Sequence, residues 1–175
     1  MLAKSKINVY ANKVVKRNVT LAEAFTTSIV YPPENKELLI KAEKRKDGNG
    51  YNLHMRKLKP LQAFQLKSLT FTQTAIDMLN AQLTKLHEAG LTHSNLNARN
   101  VYKAKPTFRS LVRQILVDDD GNKTITGMYL SDFNRRNTND TTENERKLLN
   151  KFIRYIQVKN SHITSNRPIV GRRLF

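Results

Sequence analysis

Cysteine and tryptophan are absent from this chain of 175 residues. The lack of cysteine excludes disulfide bonds, thiolate zinc sites and a cysteine nucleophile. No apolar run reaches the ~18 residues that a membrane-spanning helix needs, and the first residues lack the apolar core of a secretory signal. Glycine is scarce, and none precedes Gly48. Because only glycine lets backbone N–H groups approach phosphate closely, a glycine-rich phosphate loop is excluded before that residue.

Acidic residues are also few, since 14 Asp and Glu face 31 Lys and Arg, for a formal net charge of +17. The excess is concentrated in residues 1–60 and 131–175. Such a charge favours nucleic acid, an anionic membrane surface or an acidic protein face as a partner. A solvated basic surface without a ligand explains it equally well. The Tyr and Phe residues are not interleaved with the basic runs, which argues against a surface for single-stranded nucleic acid.

The length predicts a single domain, 1–175, with three parts. Residues 1–58 are predicted to be a small strand-rich part and residues 59–158 a mainly helical part. Residues 159–175 are expected to form a basic tail. The fold class predicted is therefore α+β.

The strand-rich part begins with short alternating patterns at Ile7 and Lys13, which predict two strands, and with one helical turn capped by Thr20. Further along, a hairpin is predicted over residues 37–55, turning at D-G-N-G. No helix-length segment fits between the two strands of this hairpin.

The clearest helix is predicted over residues 72–89, where apolar residues recur every three or four positions. A second helix is predicted from a capping box at residues 142–145 to about Val158. Between them, residues 111–117 and 124–130 read as a second hairpin.

Three short motifs surround these elements. Residues 86–90 read L-H-E-A-G, residues 93–100 read H-S-N-L-N-A-R-N, and residues 131–134 read S-D-F-N. Together they resemble the core of the protein kinases, in which L-H-x-x-G precedes the loop H-R-D-L-x-x-x-N, and D-F-G follows later. The resemblance implies a minimal kinase-like fold, with a reduced N-lobe and a truncated C-lobe. The other reading is that these residues only cap a helix and satisfy turn backbone.

The resemblance also implies a role for each motif residue. His93 lies at the His of the kinase loop, and Asn95 stands where a kinase has its catalytic Asp. Asn100 and Asp132 match the two magnesium ligands, so the hairpin before Asp132 is expected to return it beside Asn100. Lys41, after three apolar residues, matches the strand lysine that contacts ATP phosphates. ATP and magnesium are thus the implied cofactors.

The departures from the family pattern concern catalysis. An amide such as Asn95 can form a hydrogen bond with a hydroxyl group but is not a useful base. Asn134 replaces the Gly of D-F-G, and no Glu follows Lys41 on a helix to orient it. The helix that carries this Glu in kinases is therefore expected to be deleted.

We interpret the chain as a pseudokinase that acts as a protein-binding or regulatory module, similar to small bacterial effector kinases or truncated viral kinase homologues. An atypical kinase with residual ATP-dependent phosphotransfer and a basic nucleic-acid-binding protein are the alternatives. The resemblance suggests a location in the cytoplasm, or in the cytoplasm or nucleus of a host cell.

Overall fold

The computed structural model describes residues 5–97, 108–134 and 140–165, with side chains described up to Ser161. Within these residues the chain is an α+β structure with two four-stranded sheets and four α-helices. The first sheet is antiparallel, in the spatial order β1-β2-β4-β3. Its strands are β1 (Lys6–Val9), β2 (Lys13–Val19), β3 (Leu39–Lys44) and β4 (Tyr51–Arg56). The strands expected in this part of the chain are therefore present.

Helix α1 (Leu21–Val30) follows β2 directly and packs against α2 and the first sheet. The Thr20 side chain caps it, accepting a hydrogen bond from the Glu23 N–H at 3.1 Å. Only one helical turn was predicted here, and the β-branched residues of its second half are weak helix formers. In the helix, the hydroxyls of Thr26 and Thr27 donate to carbonyls one turn earlier, at 2.8 and 2.7 Å. As expected, no helix lies between β3 and β4; the helix that packs on this sheet precedes β3 instead.

The second sheet has the order β5-β7-β8-β6. Its strands are β5 (Lys59–Pro60), β6 (Thr70–Phe71), β7 (Ile115–Asp119) and β8 (Thr124–Leu130). β6 runs parallel to β8, and the other pairs are antiparallel. The predicted hairpin before the S-D-F motif is confirmed, although its first strand begins at Ile115. The preceding residues form a short helix, in which Leu111 and Val112 face the core.

Helix α2 (Gln73–Glu88) confirms the clearest helix of the sequence. Thr72 caps its start and Gly90, at φ +78°, lies just past its end. The buried Gln82 side chain joins α2 to β8, donating to the Met128 carbonyl and accepting from the Leu130 N–H, both at 2.9 Å. The last residues of β8 are thereby held against α2.

The short helix before β7 is α3 (Arg109–Arg113), and the last helix is α4 (Thr142–Ser165). α4 is longer than predicted, so residues 159–165 belong to a helix rather than to a tail. Its cap is Thr141, whose hydroxyl accepts from the Asn144 N–H at 3.0 Å. The predicted capping box does not form, because the Glu145 side chain is fully buried elsewhere.

The buried apolar residues of both sheets and of the four described helices form one contiguous cluster. The two sheets therefore share one hydrophobic core. Among the described helices, none combines the length and apolarity needed to cross a bilayer.

Candidate functional site

A cleft of about 520 Å³ lies between the first sheet and the segment that follows β8. This volume falls in the usual range of small-molecule sites, roughly 300–1,000 Å³. One end is polar and contains Lys16, Glu23 and Asp132. The remaining walls are largely apolar and are formed by Ile7, Val9, Val14, Leu53, Met55, Leu58, Pro60 and Leu116. The cleft thus offers flat apolar walls beside a charged end.

The charged end is organised around Lys16. Its ammonium group contacts Glu23 Oε2 at 2.5 Å and Asp132 Oδ1 at 2.8 Å. Lys16 and Glu23 are only 8 % and 5 % exposed. Burial by itself lowers the pKa of Lys16, but the charges of Glu23 and Asp132 outweigh it and raise the pKa overall. The lysine is therefore charged at neutral pH.

Local structure explains how Lys16 meets Glu23. After Lys16, strand β2 contains an irregularity at Asn18, which adopts φ +60°, and its pairing with β4 shifts register there. The chain then turns at the Thr20 cap into α1, which places Glu23 in the first helical turn. A carboxylate is favourable there because the helix N-terminus carries partial positive charge. The strand, the bulge at Asn18 and the capped helix together bring Lys16 and Glu23 into contact.

Asp132 approaches from the other side of the cleft. Its backbone adopts φ +62°, a left-handed conformation that Asp tolerates better than most residues. The Asn134 side chain donates to Asp132 Oδ1 at 3.0 Å, the oxygen that also accepts from Lys16. No described residue donates to Oδ2, and the side chain is 32 % exposed. One carboxylate oxygen is therefore held, and within the described part of the chain the other accepts no hydrogen bond.

The loop that contains His93 and Ser94 is held in place by Glu145 of α4. This carboxylate is fully buried and accepts hydrogen bonds from the N–H groups of His93 and Ser94 at 2.9 and 2.7 Å. The His87 Nε2 is a third partner at 2.9 Å. Ser94 adopts φ +68°, a conformation uncommon outside glycine, which these bonds stabilise.

His93 connects the loop to the S-D-F motif. Its Nε2 donates to the Ser131 carbonyl at 2.7 Å, and its ring lies 4.9 Å from the Phe133 ring centroid. Burial lowers the pKa of His93, an effect opposed by the bond to Ser131 and the nearby carboxylates of Glu145, Asp132 and Asp140. The imidazole is therefore neutral at physiological pH.

The predicted site residues are only partly brought together. His93 lies near Asp132, because its Nε2 donates to the carbonyl of Ser131, the residue before Asp132. Asn95 follows His93 in the loop, where its carbonyl accepts from the Ser110 hydroxyl at 2.7 Å. Asn100 lies outside the described residues, so its closeness to Asp132 stays a prediction. The described residues contain no cluster of three or more His, Asp or Glu suited to a metal.

The structure places Lys41 away from the cleft. Its side chain is 59 % exposed and contacts Glu43 at 3.2 Å, within the same strand. Lys16 instead takes the position beside Asp132, and sequence reasoning missed it. The signal was present, since Lys16 ends a V-V-K strand pattern and Glu23 follows on the capped turn that begins at Thr20.

Comparisons of the chain with protein-family models, curated proteins and solved structures found no match. The site is accordingly interpreted from its own geometry.

We expect Glu145→Gln to lower the free energy of unfolding by about 2–3 kcal/mol, because one carboxylate oxygen that accepts backbone N–H groups becomes a donor. Urea denaturation followed by circular dichroism measures the change. Glu143→Gln makes the same chemical change on the exposed side of the first turn of α4 and should leave stability unchanged. Equal effects from the two variants would contradict the role assigned to Glu145.

The lowered pKa of His93 predicts a pH dependence of stability. Below about pH 6.5 the unfolded chain takes up a proton at this histidine, whereas the folded chain takes it up only at lower pH. The free energy of unfolding should therefore fall as the pH drops from 7.5 to 5.5, by up to about 1.4 kcal/mol per pH unit from this group. His93→Phe should be less stable at pH 7.5 but depend less on pH. If the free energy of unfolding depended equally on pH in His93→Phe and in the wild type, the pH dependence could not be assigned to His93.

Proposed function

We propose that this chain is a degenerate kinase-like protein whose cleft binds a nucleoside triphosphate, and that it acts mainly as a binding or regulatory module. The observation that carries the proposal is the Lys16 ammonium held between Glu23 and Asp132. In protein kinases, a strand lysine pairs with a Glu on the following helix beside the D-F-G Asp. Here β2, α1 and the S-D-F segment supply the corresponding three groups.

Two independent lines support the resemblance. The motifs around His93 and Asp132 suggested it without any use of Lys16 or Glu23. Those two residues then lie in contact with Asp132, although Lys16 is separated from it by 116 positions. A coincidental motif would not require a lysine, a glutamate and this aspartate to meet at the end of a cleft.

The cleft has the chemistry that a nucleotide needs. Its apolar walls suit a flat ring, and the Lys16 charge suits phosphate. Asp132 Oδ2 has no donor among the described residues, which fits an oxygen ligand of magnesium. Asn100 would be the second ligand by the resemblance. When bound, magnesium would neutralise phosphate charge.

Efficient phosphotransfer to a protein is not expected. Asn95 is an amide and cannot accept the proton of a substrate hydroxyl, a loss typically worth about 10²–10⁴-fold. The turn between β1 and β2 contains no glycine to approach phosphate. Glu23 would serve as the orienting Glu, which was expected from the sequence to be missing. The cleft is thus better equipped for binding than for turnover, and residual phosphotransfer is the second candidate because positioning and electrostatics carry most of that chemistry.

Nucleotide affinity should depend on Lys16 and not on Lys41. We expect Lys16→Met to weaken binding of ATP about 10–100-fold, since it removes a charge-assisted contact of roughly 1.5–3 kcal/mol. Lys41→Met removes the same group from an exposed strand position and should bind as the wild type does. Isothermal titration with and without magnesium measures both. Loss of affinity only in Lys41→Met would refute the assignment of the cleft.

Folding must be controlled in this experiment, because Lys16→Met leaves the carboxylate of Glu23 buried without a partner. Removing one member of a buried pair commonly costs about 3–5 kcal/mol. Lys16→Met/Glu23→Gln removes both charges and should recover much of that stability without recovering affinity. A double variant that folds and binds ATP as the wild type does would sink the proposal.

The Asn95 position allows a gain-of-function test. Asn95→Asp restores a carboxylate at the position of the missing base and should raise phosphate transfer to a generic protein substrate from a near-silent wild type. Asn97→Asp adds the same charge two residues later and should not. Wild-type activity at ordinary kinase rates that Asp132→Ala abolishes would show that the chain is a working kinase instead.

A further inference from the structure

A second, open groove of about 480 Å³ lies along the C-terminal half of α4 and shares no lining residue with the cleft. Its apolar floor is formed by Phe108, Tyr155 and Val158. The Phe108 and Tyr155 ring centroids lie 5.6 Å apart, and Phe108 also packs on the buried Phe152 ring at 5.4 Å. Tyr155 is 38 % exposed and Val158 52 % exposed. Aromatic surface is thus presented to solvent on a rigid base.

The rim of this groove is positively charged. Lys151, Arg154 and Lys159 line it, and no carboxylate does. Lys159 is anchored by its bond to the Leu69 carbonyl at 2.8 Å, whereas Lys151 and Arg154 form no ion pair with any described residue. The three cations span about 12 Å of helix axis at ~1.5 Å per residue. They can therefore follow a chain of anionic groups rather than surround a single ion.

The charge continues beyond the groove. Residues 146–175 contain eight Lys and Arg and no Asp or Glu. The chain segments outside the described ranges, including 98–107 and 166–175, also contain no Asp or Glu. Charge complementarity thus disfavours these segments as occupants of the groove and favours a polyanion.

We propose that this groove binds single-stranded nucleic acid. A base stacks on the exposed Tyr155 ring, which Phe108 supports, while Lys151 and Arg154 contact phosphates. Aromatic rings beside a basic track are the usual means of binding single strands without sequence preference. An acidic peptide would match the charged rim but would make no specific use of the aromatic floor. The aromatic floor beside three cations therefore favours the nucleic acid.

The sequence was interpreted above as lacking aromatic residues among its basic ones, and the folded chain differs from that interpretation. Along the chain, Phe108 is far from the basic stretch of α4, and the only local sign is the K-F-I-R-Y-I-Q-V-K pattern of residues 151–159, which the sequence analysis did not use. In the structure, Phe108 packs on Tyr155 between Lys151 and Lys159. The interleaving is therefore present in space.

The test uses the full chain and a fluorescein-labelled oligothymidylate of about 20 nucleotides, longer than a typical single site of ~4–16. Fluorescence anisotropy gives its affinity. Tyr155→Ala should weaken binding about tenfold, because it removes the stacking surface and leaves the charge. Phe64→Ala removes an aromatic ring that is 78 % exposed outside the groove and should have no effect. Circular dichroism confirms that both variants are folded.

The charge contribution is tested by titration between about 50 and 200 mM salt. Lys151→Gln/Arg154→Gln should reduce the slope of log affinity against log salt by about 1.4, at ~0.7 for each lost phosphate contact on a single strand. Lys44→Gln/Lys46→Gln makes the same charge change at exposed positions of the first sheet and should leave that slope unchanged. Saturating ATP should not displace the oligonucleotide.

Four outcomes would overturn the inference. Unchanged affinity in Tyr155→Ala excludes stacking at the groove. Equal salt slopes in the two double variants mean attraction by net charge alone. Displacement by ATP, or loss of binding in Lys16→Met/Glu23→Gln, places the oligonucleotide in the cleft. Binding of poly-L-glutamate that depends on Tyr155, without binding of oligothymidylate, assigns the groove to an acidic peptide.

Discussion

The buried ammonium group of Lys16 is the constraint on which the arrangement of the cleft depends. An unpaired charge in that position would cost several kcal/mol, so Lys16 is tolerated only while both Glu23 and Asp132 face it. The three residues belong to a strand of the first sheet, to the helix that follows it and to the segment after the second sheet. Displacing any one of these elements would leave a buried charge without its partner. The ion network therefore links the first sheet and α1 to the segment after the second sheet, in addition to their shared apolar core.

A second buried carboxylate stabilises the other side of the site. Glu145 satisfies two consecutive backbone N–H groups of the loop at His93, and His93 in turn donates to the carbonyl before Asp132. Within the described residues the loop forms no strand or helix itself, so these bonds satisfy backbone groups that regular secondary structure would otherwise pair. Helix α4 thus holds the loop in place, and the loop in turn holds the S-D-F segment. Polar contacts inside the core position both motifs.

How well the sequence predicts each element of this fold depends on how far apart in the chain the residues that stabilise it lie. Helix α2 and the hairpin before Asp132 were predicted because their periodicity and turn residues are local. Lys41 and Lys16 both follow apolar strand residues, and what distinguishes Lys16 is its contact with Glu23 and Asp132, of which Asp132 is 116 positions away in the chain. Glu145 was assigned to a capping box, a local role, whereas its partners lie some fifty positions earlier. The functional residues that were not predicted from the sequence are mainly those whose contacts join distant parts of the chain.

The network at Lys16 also bears on what the cleft is for. A buried ion pair is weak evidence for stability, because apolar residues of similar volume are often as stable or more so. Stability alone therefore gives no reason for a lysine and two carboxylates at the end of an apolar cleft. Under the function proposed above, Lys16 would face phosphate and the two carboxylates would orient its ammonium group. Asn95, at the position that the resemblance assigns to the catalytic Asp, is an amide that can form hydrogen bonds without accepting a proton. Such a site would have the chemistry of recognition rather than turnover.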